Sequence, residues 1–266
     1  MTPQFGLIII GDEILSGKRA DKHLPKTIEL LHARGLQLAW AEYVGDSPER
    51  IEAALARAFA SGDVVFSTGG IGATPDDHTR QCAAAALGVE LALHPEAADL
   101  IRERMQDIAK EQGTAYEPDR PDNLHRLNMG VFPVGANIIP NPYNKIAGFS
   151  VGCVHFVPGF PVMAWPMMEW VLDTVYPHRH QKSAWIEKSV IVFGAMEATL
   201  TPLMEEIERE YAGAKVFSLP SVDHPQHGRH IELGVKGAPE LIERAYPALL
   251  KGLQKFDAQL GPELVR

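Results

Sequence analysis

Residues 63–79, Asp-Val-Val-Phe-Ser-Thr-Gly-Gly-Ile-Gly-Ala-Thr-Pro-Asp-Asp-His-Thr, place three glycines and two adjacent carboxylates directly after an apolar run. Gly69, Gly70 and Gly72 would let backbone amides approach an anion closely, and Thr74-Pro75-Asp76-Asp77 reads as a helix start. Thr74 is expected as N-cap, Pro75 at the first helical position and Asp77 as the capping-box partner. Strand, glycine turn and helix N-terminus would then form a phosphate site at the carboxyl end of a sheet. Carboxylates beside a phosphate are repelled unless a cation lies between them. Asp76 and Asp77 are therefore either caps that offset the helix dipole or ligands of a divalent metal that carries the phosphate. The turn lacks the Gly-Lys-Ser/Thr of a Walker loop and the full spacing of a dinucleotide fingerprint.

Two more strand ends carry acids, Gly11-Asp12-Glu13-Ile14-Leu15-Ser16-Gly17 and Gly45-Asp46-Ser47-Pro48. Asp12, Glu13 and Asp46 are solvated turn residues if they stand alone, and ligands of a metal or substrate if one pocket gathers them. Asn141, between Pro140 and Pro142, is a rigid corner or presents its amide to a ring or ribose. Lys145 and Arg80 are the nearest cations for a second phosphate. His224, His227 and His230 recur at spacing three, but in a loop broken by Pro225 and Gly228, so no helix aligns them on a metal. The stripe Trp165, Met168 and Leu172 reads as core or a subunit surface.

Positioning such loops calls for alternating strands and helices. The apolar run 5–10 reads as a central parallel strand. A helix over about 21–34 follows, with Leu24, Ile28 and Leu31 inward, then a strand over 36–44 and a helix to about 61. The glycine-turn strand, an alanine-rich helix over about 76–87 and an amphipathic helix over 96–112 continue the series. Residues 123–134 read as a short helix and a connection, followed by short strands over 136–139, 148–151 and 153–157 and a helix over 162–175. Residues 176–182 look like a linker. Beyond it, a strand over 184–193, a helix over 197–211, strands over 214–219 and 230–236 and a helix over 239–260 suggest a small α+β domain. The expected architecture is a doubly wound, mostly parallel α/β sheet with a second, smaller α+β domain. Asp12/Glu13, Asp46 and the glycine turn would then converge on one sheet edge.

With 266 residues, 45% of them hydrophobic and 22% charged, the chain can bury a core without covalent staples. A net charge of −9 argues against nucleic acid as the main partner. Cys82 and Cys153 are expected as two reduced, buried thiols in a cytoplasmic protein. The start, Met1-Thr2-Pro3-Gln4, lacks the basic region of a signal peptide, and no apolar stretch is long enough to span a bilayer. No membrane partner is expected.

Four motifs in a fixed order carry a family resemblance: Gly11 to Gly17, Thr68 to Thr79, Pro140-Asn141-Pro142 with Gly148-Phe149, and Pro158-Gly159-Phe160-Pro161. The series resembles the MoaB/Mog molybdopterin-binding family, most closely the N-terminal domain of competence/damage-inducible CinA proteins. The resemblance implies a molybdopterin-binding domain over 1–176 and a CinA-like β-α-β-β-α region over 183–266. The amidase domain of full-length CinA is not expected, so deamidation of nicotinamide mononucleotide is not implied. The resemblance also implies that Asp46 and Asp77 hold a magnesium ion against a pterin phosphate and a nucleotide, with Thr79 in support and Gly69, Gly70 and Gly72 cradling the phosphate. Thr68, Thr74, Asp12, Glu13, Asn141 and Gly159 fall in the expected ligand-binding set, and Asp46, Asp76 and Asp77 in the metal set. In molybdopterin adenylyltransferases an arginine commonly stands where this chain has Asp76, which removes a cation and adds a metal ligand. The Asp-Asp pair is typical of the CinA branch, where hydrolysis of ADP-ribose to AMP and ribose 5-phosphate is known. Asn144 replaces a common glycine and Ile71 a common threonine. The expected function is binding of a phosphorylated pterin or nucleotide by a homo-oligomer. The alternatives are ADP-ribose hydrolysis with Mg, Mn or Co, and a non-catalytic regulatory role.

Overall fold

Six consecutive apolar residues form strand β1 (Phe5–Ile10), and every one of them is buried. Alternation sends Ile8 and Ile10 to one face and Phe5, Leu7 and Ile9 to the other. A strand of this kind must lie at the centre of a sheet covered on both sides. The computed structural model describes residues 3–180, 185–256 and 258–266, and the chain divides into two compact units, Met1–His180 and Gln181–Arg266.

In the first unit, β1 leads through a one-turn helix α1 (Asp12–Leu15) to α2 (His23–His32), β2 (Leu38–Val44), α3 (Pro48–Ser61) and β3 (Val64–Thr68). Next come α4 (Thr79–Leu87), β4 (Leu91–Leu93), α5 (Pro95–Gln112), α6 (Pro121–Arg126) and β5 (Val131–Pro133). Strands β6 (Asn137–Ile139), β7 (Gly148–Val151) and β8 (Val154–Val157) and helix α7 (Pro161–Thr174) close the unit. The main sheet has the order β2-β1-β3-β8-β7-β6. Strands β2, β1, β3 and β8 are parallel, while β7 runs antiparallel to both β8 and β6. The chain therefore leaves β1 for one side of the sheet and returns on the other with β3. That reversal opens a crevice at the carboxyl ends of β1 and β3.

Helices α3 and α4 cover one face through Ile51, Leu55, Ala58 and Ala83, and α2 and α7 cover the other through Leu30, Leu31, Met168 and Leu172. The stripe Trp165, Met168, Leu172 is thus core, with Trp165 at its partly buried edge. On α2 the inward residues are His23, Thr27, Leu30 and Leu31, whereas Ile28 is 49% exposed, so the expected inward face was rotated. Tyr176 is buried with its hydroxyl 2.8 Å from Nε2 of His155, and His180 Nε2 lies 3.0 Å from the Leu172 carbonyl. Residues 176–180 are therefore packed on the first unit rather than forming a linker, and 181–184 lie outside the described residues. Cys82 is buried as expected, but Cys153 is exposed in the β7–β8 turn.

The second unit is a four-stranded antiparallel sheet, ordered β10-β11-β9-β12, made of β9 (Ile186–Phe193), β10 (Lys215–His224), β11 (Gly228–Gly237) and β12 (Gln259–Val265). Helices α8 (Glu197–Glu210) and α9 (Pro239–Leu253) pack on it through Leu200, Leu203, Ile242 and Leu249. The expected last helix stops at Leu253, and the residues after it form β12. At the β10–β11 turn His224 and His227 stack, His230 meets both rings edge-on, and Nδ1 of His224 accepts the His227 N–H at 3.2 Å.

A stack of three phenylalanines ties the first unit together: Phe149 lies 4.6 Å from Phe132 and 4.4 Å from Phe156, ring centre to ring centre. Phe149 is fully buried, so Phe149→Ala should cost about 3–5 kcal/mol through lost transfer energy and the cavity left behind. Urea unfolding followed by near-UV circular dichroism checks this; an unchanged midpoint would contradict the packing described.

Candidate functional site

Thr79 holds the glycine turn in place. Its hydroxyl donates to the Gly69 carbonyl at 3.1 Å and its N–H to the Gly70 carbonyl at 3.1 Å. Gly69 and Gly70 have φ of 98° and 67°, where side chains are strained, and a Cβ on Gly70 would lie 2.2 Å from Thr79 Oγ1. Arg80, 4% exposed, clamps the same loop by donating to the Ile71 carbonyl at 2.7 Å. Burial lowers its pKa, opposed by the nearby charge of Asp77. It is therefore a support beneath the turn and not a cation facing the central cavity.

The helix after the turn begins at Thr79, later than the sequence suggested. Thr74 to Asp77 instead forms a β-turn, closed by the Asp77 N–H on the Thr74 carbonyl at 3.0 Å. Asp77 Oδ2 accepts from both the Thr74 N–H (2.9 Å) and the Thr74 hydroxyl (2.5 Å). The reciprocal pair expected as a capping box is present, but it locks a turn ahead of the helix. Gly72 makes room for it, since a Cβ there would meet Asp77 Oδ2 at 2.5 Å. The first amide of the helix is already engaged by Gly70, so bare amides must come from the loop. Gly69 N–H donates to Val157 and Thr74 N–H to Asp77, whereas the N–H groups of Gly70, Ile71, Gly72 and Ala73 have no acceptor among the described residues.

The strand ends β1 and β2 are joined by a two-way clasp. Asp12 N–H donates to Asp46 Oδ2 at 2.9 Å, and Asp46 N–H donates to Asp12 Oδ1 at 3.1 Å. The clasp spends one oxygen of each carboxylate and turns Asp46 toward the crevice. A cavity of about 490 Å³ opens there, lined by Glu13, Asp46, Gly69, Gly70, Gly72, Thr74, Asp76, Asp77, Asn141 and Gly159. Thr68, Thr79 and Asp12 stand outside the lining: Thr68 is buried with its hydroxyl toward the Ile8 carbonyl, Thr79 lies under the turn and Asp12 serves the clasp. Asn141 Nδ2 is held by Asn144 Oδ1 and the Ile146 carbonyl, at 2.8 and 2.9 Å, so its amide fixes the loop as it borders the cavity. Lys145 is drawn away by Glu103 and Asp107. Sequence reasoning missed Arg19, Met129, Phe160 and Met163 in the cavity wall.

Four acids and one base, Arg19, line this cavity. Asp46 records the imbalance: burial pushes its pKa up, and the charges of Asp12, Glu13 and Asp76 push further, against the Asp12 N–H that lowers it. Among the described residues no three His, Cys, Asp or Glu side chains converge as a ready metal site, and this includes the Asp46, Asp76, Asp77 set and the histidine loop. The donors are hard carboxylate oxygens, which suit magnesium, an ion that commonly takes one or two carboxylates and completes its shell with phosphate oxygens and water. No helix among the described residues is long and apolar enough to cross a membrane.

In this mostly parallel sheet the glycine turn and the acids lie at the switch point, the place where open α/β sheets bind their ligands. Residues 6–178 match the family described as a probable molybdopterin binding domain, and the chain belongs to that family, with the MoaB/Mog fold and close to CinA. A CinA-like protein of Citrifermentans bemidjiense is 33% identical over 207 residues, 75% of this chain and 46% of the relative, so the chain spans about half that relative's length. A protein of Pyrobaculum calidifontis is 31% identical over 258 residues, 94% of each chain. The crystal structure of CinA from Thermoplasma acidophilum is 26% identical, with a TM-score of 0.53 over 65% of this chain and 97% of that one. The family and the α/β fold expected from the four motifs are both borne out.

Because folding favours the protonated form of Asp46, its ionisation lowers stability as pH rises through its elevated pKa. Asp46→Asn keeps an acceptor for the Asp12 N–H and removes the repelled charge. The variant should melt at a higher temperature than wild type at pH 7, with the gain vanishing as pH falls below the ordinary carboxylate pKa of about 3.9. Calorimetric melting across that range checks the sign; an equal or lower Tm at pH 7 would contradict the described repulsion.

Proposed function

We propose that the cavity binds a phosphorylated pterin or nucleotide, with the phosphate on the N–H groups of Gly70 to Ala73. The observation that carries this is the run of four backbone donors without acceptors, fixed by Thr79 and Arg80 at the mouth of the sheet. Successive amides pointing into one concavity form an anion nest. Family membership supports a pterin or nucleotide as the group attached to that phosphate. In this reading residues 1–176 act as the binding domain and 183–266 as a separate small domain. Two free cysteines support a reducing, cytoplasmic setting, and the net charge of −9 supports a small-molecule partner rather than nucleic acid. A homo-oligomer is proposed on family grounds alone.

A second reading, metal-dependent hydrolysis of ADP-ribose to AMP and ribose 5-phosphate, is favoured by Asp76, an acid in the wall where a cation would have served adenylylation. Asp46 and Asp77, with Asp76 beside them, would hold the ion. A bound divalent metal would neutralise phosphate charge and acidify a water. The chain's own contribution is to orient the phosphates on the glycine turn and to hold Asp46 in place by the Asp12 clasp.

Melting curves with AMP or ADP-ribose, each with and without Mg²⁺, test both readings, because a ligand at 100 times its Kd stabilises the native state by about 2.7 kcal/mol. Wild type should shift upward. Gly70→Ala should lose the shift, and Asp77→Ala should weaken it about tenfold in affinity, the loss of a charged hydrogen-bond acceptor. AMP released from ADP-ribose only with metal, and lost in Asp77→Ala, establishes the hydrolase. A shift without release leaves a binding protein. No shift with either nucleotide or with a pterin phosphate overturns the proposal.

A further inference from the structure

The second unit has a cavity of its own, about 610 Å³, between the start of α8 and the strands β10 and β11. Ala195, Met196 and Glu197 line it, and their N–H groups have no acceptor among the described residues. Met196 stands at the N-cap of α8 and makes no capping hydrogen bond, so the positive end of the helix is uncovered. Arg229 belongs to the same wall and has no ion pair or hydrogen bond among the described residues. Glu197 is the one acid in the lining, and its Oε1 accepts the Ser218 hydroxyl at 2.6 Å. One base and one acid offset each other, so the bare amides favour a single negative charge over the double charge of a phosphate.

His230 supplies a second, independent observation. It borders the cavity yet is only 7% exposed. Phe193, His224 and His227 meet its ring edge-on and set its orientation. Nδ1 lies 2.9 Å from the Gly228 carbonyl, and a carbonyl only accepts, so Nδ1 carries the proton. Nε2, across the ring, is then a lone pair without a partner among the described residues. The side-chain atoms both unpartnered and sealed from solvent are His23 Nδ1, Ser67 Oγ and Trp165 Nε1, so His230 Nε2 remains within a ligand's reach. An acceptor beside bare amides suits a ligand that carries a donor next to its negative charge. The rest of the wall includes Pro220, Val222 and Ile231, and Met196 and Val222 are 66% and 68% exposed, so apolar surface is left uncovered.

We propose that this cavity binds a small organic monocarboxylate whose next carbon bears a hydroxyl or amide N–H and whose chain is apolar. The carboxylate takes the amides at the start of α8 and the Arg229 guanidinium. The neighbouring donor goes to Nε2 of His230, and the chain covers Met196 and Val222. The site lies wholly within the second unit and owes nothing to the glycine turn, so neither reading falls with the other.

Isothermal titration at about pH 8, the upper end of the range over which histidines change charge, tests this. It compares 2-hydroxyisocaproate and N-acetylleucine with isocaproate, which has the same chain but no donor. At least one donor-bearing acid should bind about tenfold more tightly than isocaproate, the worth of one hydrogen bond, and the tighter of the two identifies the donor. Arg229→Ala should weaken all three about tenfold. Wild-type imidazole ¹⁵N spectra give a readout that leaves the buried ring intact. The Nε2 resonance of His230 should move upfield with the tighter acid and stay in place with isocaproate. No binding of either donor-bearing acid, an unchanged affinity in Arg229→Ala or an unmoved Nε2 resonance overturns the proposal. Inorganic phosphate binding more tightly than both acids also overturns it, since the cavity would then select charge alone.

Discussion

Two hydrogen bonds from Thr79 hold the site together. They fix the carbonyls of Gly69 and Gly70, and the N–H groups of Gly70 to Ala73 that follow have no acceptor among the described residues. A loop of three glycines has high conformational entropy, and ordering it costs about 1–2 kcal/mol per residue at the backbone alone. Thr79, Arg80 and the Thr74–Asp77 turn meet that cost from inside the protein, before any ligand arrives. The site is therefore largely preformed, and binding energy can go to the ligand instead of to ordering the loop.

That preformed turn matters because of where the sheet puts it. Strands β1, β2 and β3 run parallel, so their ends reach the same edge, and the reversal between β1 and β3 leaves a crevice that no helix fills. The same geometry crowds carboxylates together. Asp12 and Asp46 relieve part of the crowding by accepting each other's N–H groups, and the remainder appears as the raised proton affinity of Asp46. A fold optimised for stability alone would not place acids so, and stability given up at one spot is common where a site must attract charge. Bare amides and crowded acids are complementary demands: the first want a phosphate and the second want a cation.

Much of this was legible in the chain because the signals are local. The apolar run of β1, the glycines 69, 70 and 72 and the acids at three strand ends follow from residue type and spacing, and the ordered motifs led to the right family. The parts that were not legible depend on distant contacts. Thr74-Pro75-Asp76-Asp77 carries every helix-start signal, but Thr79 pulls the chain back under Gly70, so the helix begins later and the pair closes a turn. Arg80 and Lys145 look like free cations in sequence; one is buried against Ile71 and the other is captured by two acids on α5. The last helix was expected to run on to Leu260, yet Leu260 lies in β12, which pairs with β9.

The central claim is that phosphate and divalent cation meet between the glycine turn and the acids of the neighbouring strand ends. A crystal grown with AMP and Mn²⁺ and measured at the manganese edge tests this most directly. The account predicts phosphate density against the amides of Gly70 to Ala73, with an anomalous peak between that phosphate and the carboxylates of Asp46 and Asp77. Nucleotide bound elsewhere, or an ordered phosphate that leaves those four amides facing water, would contradict it.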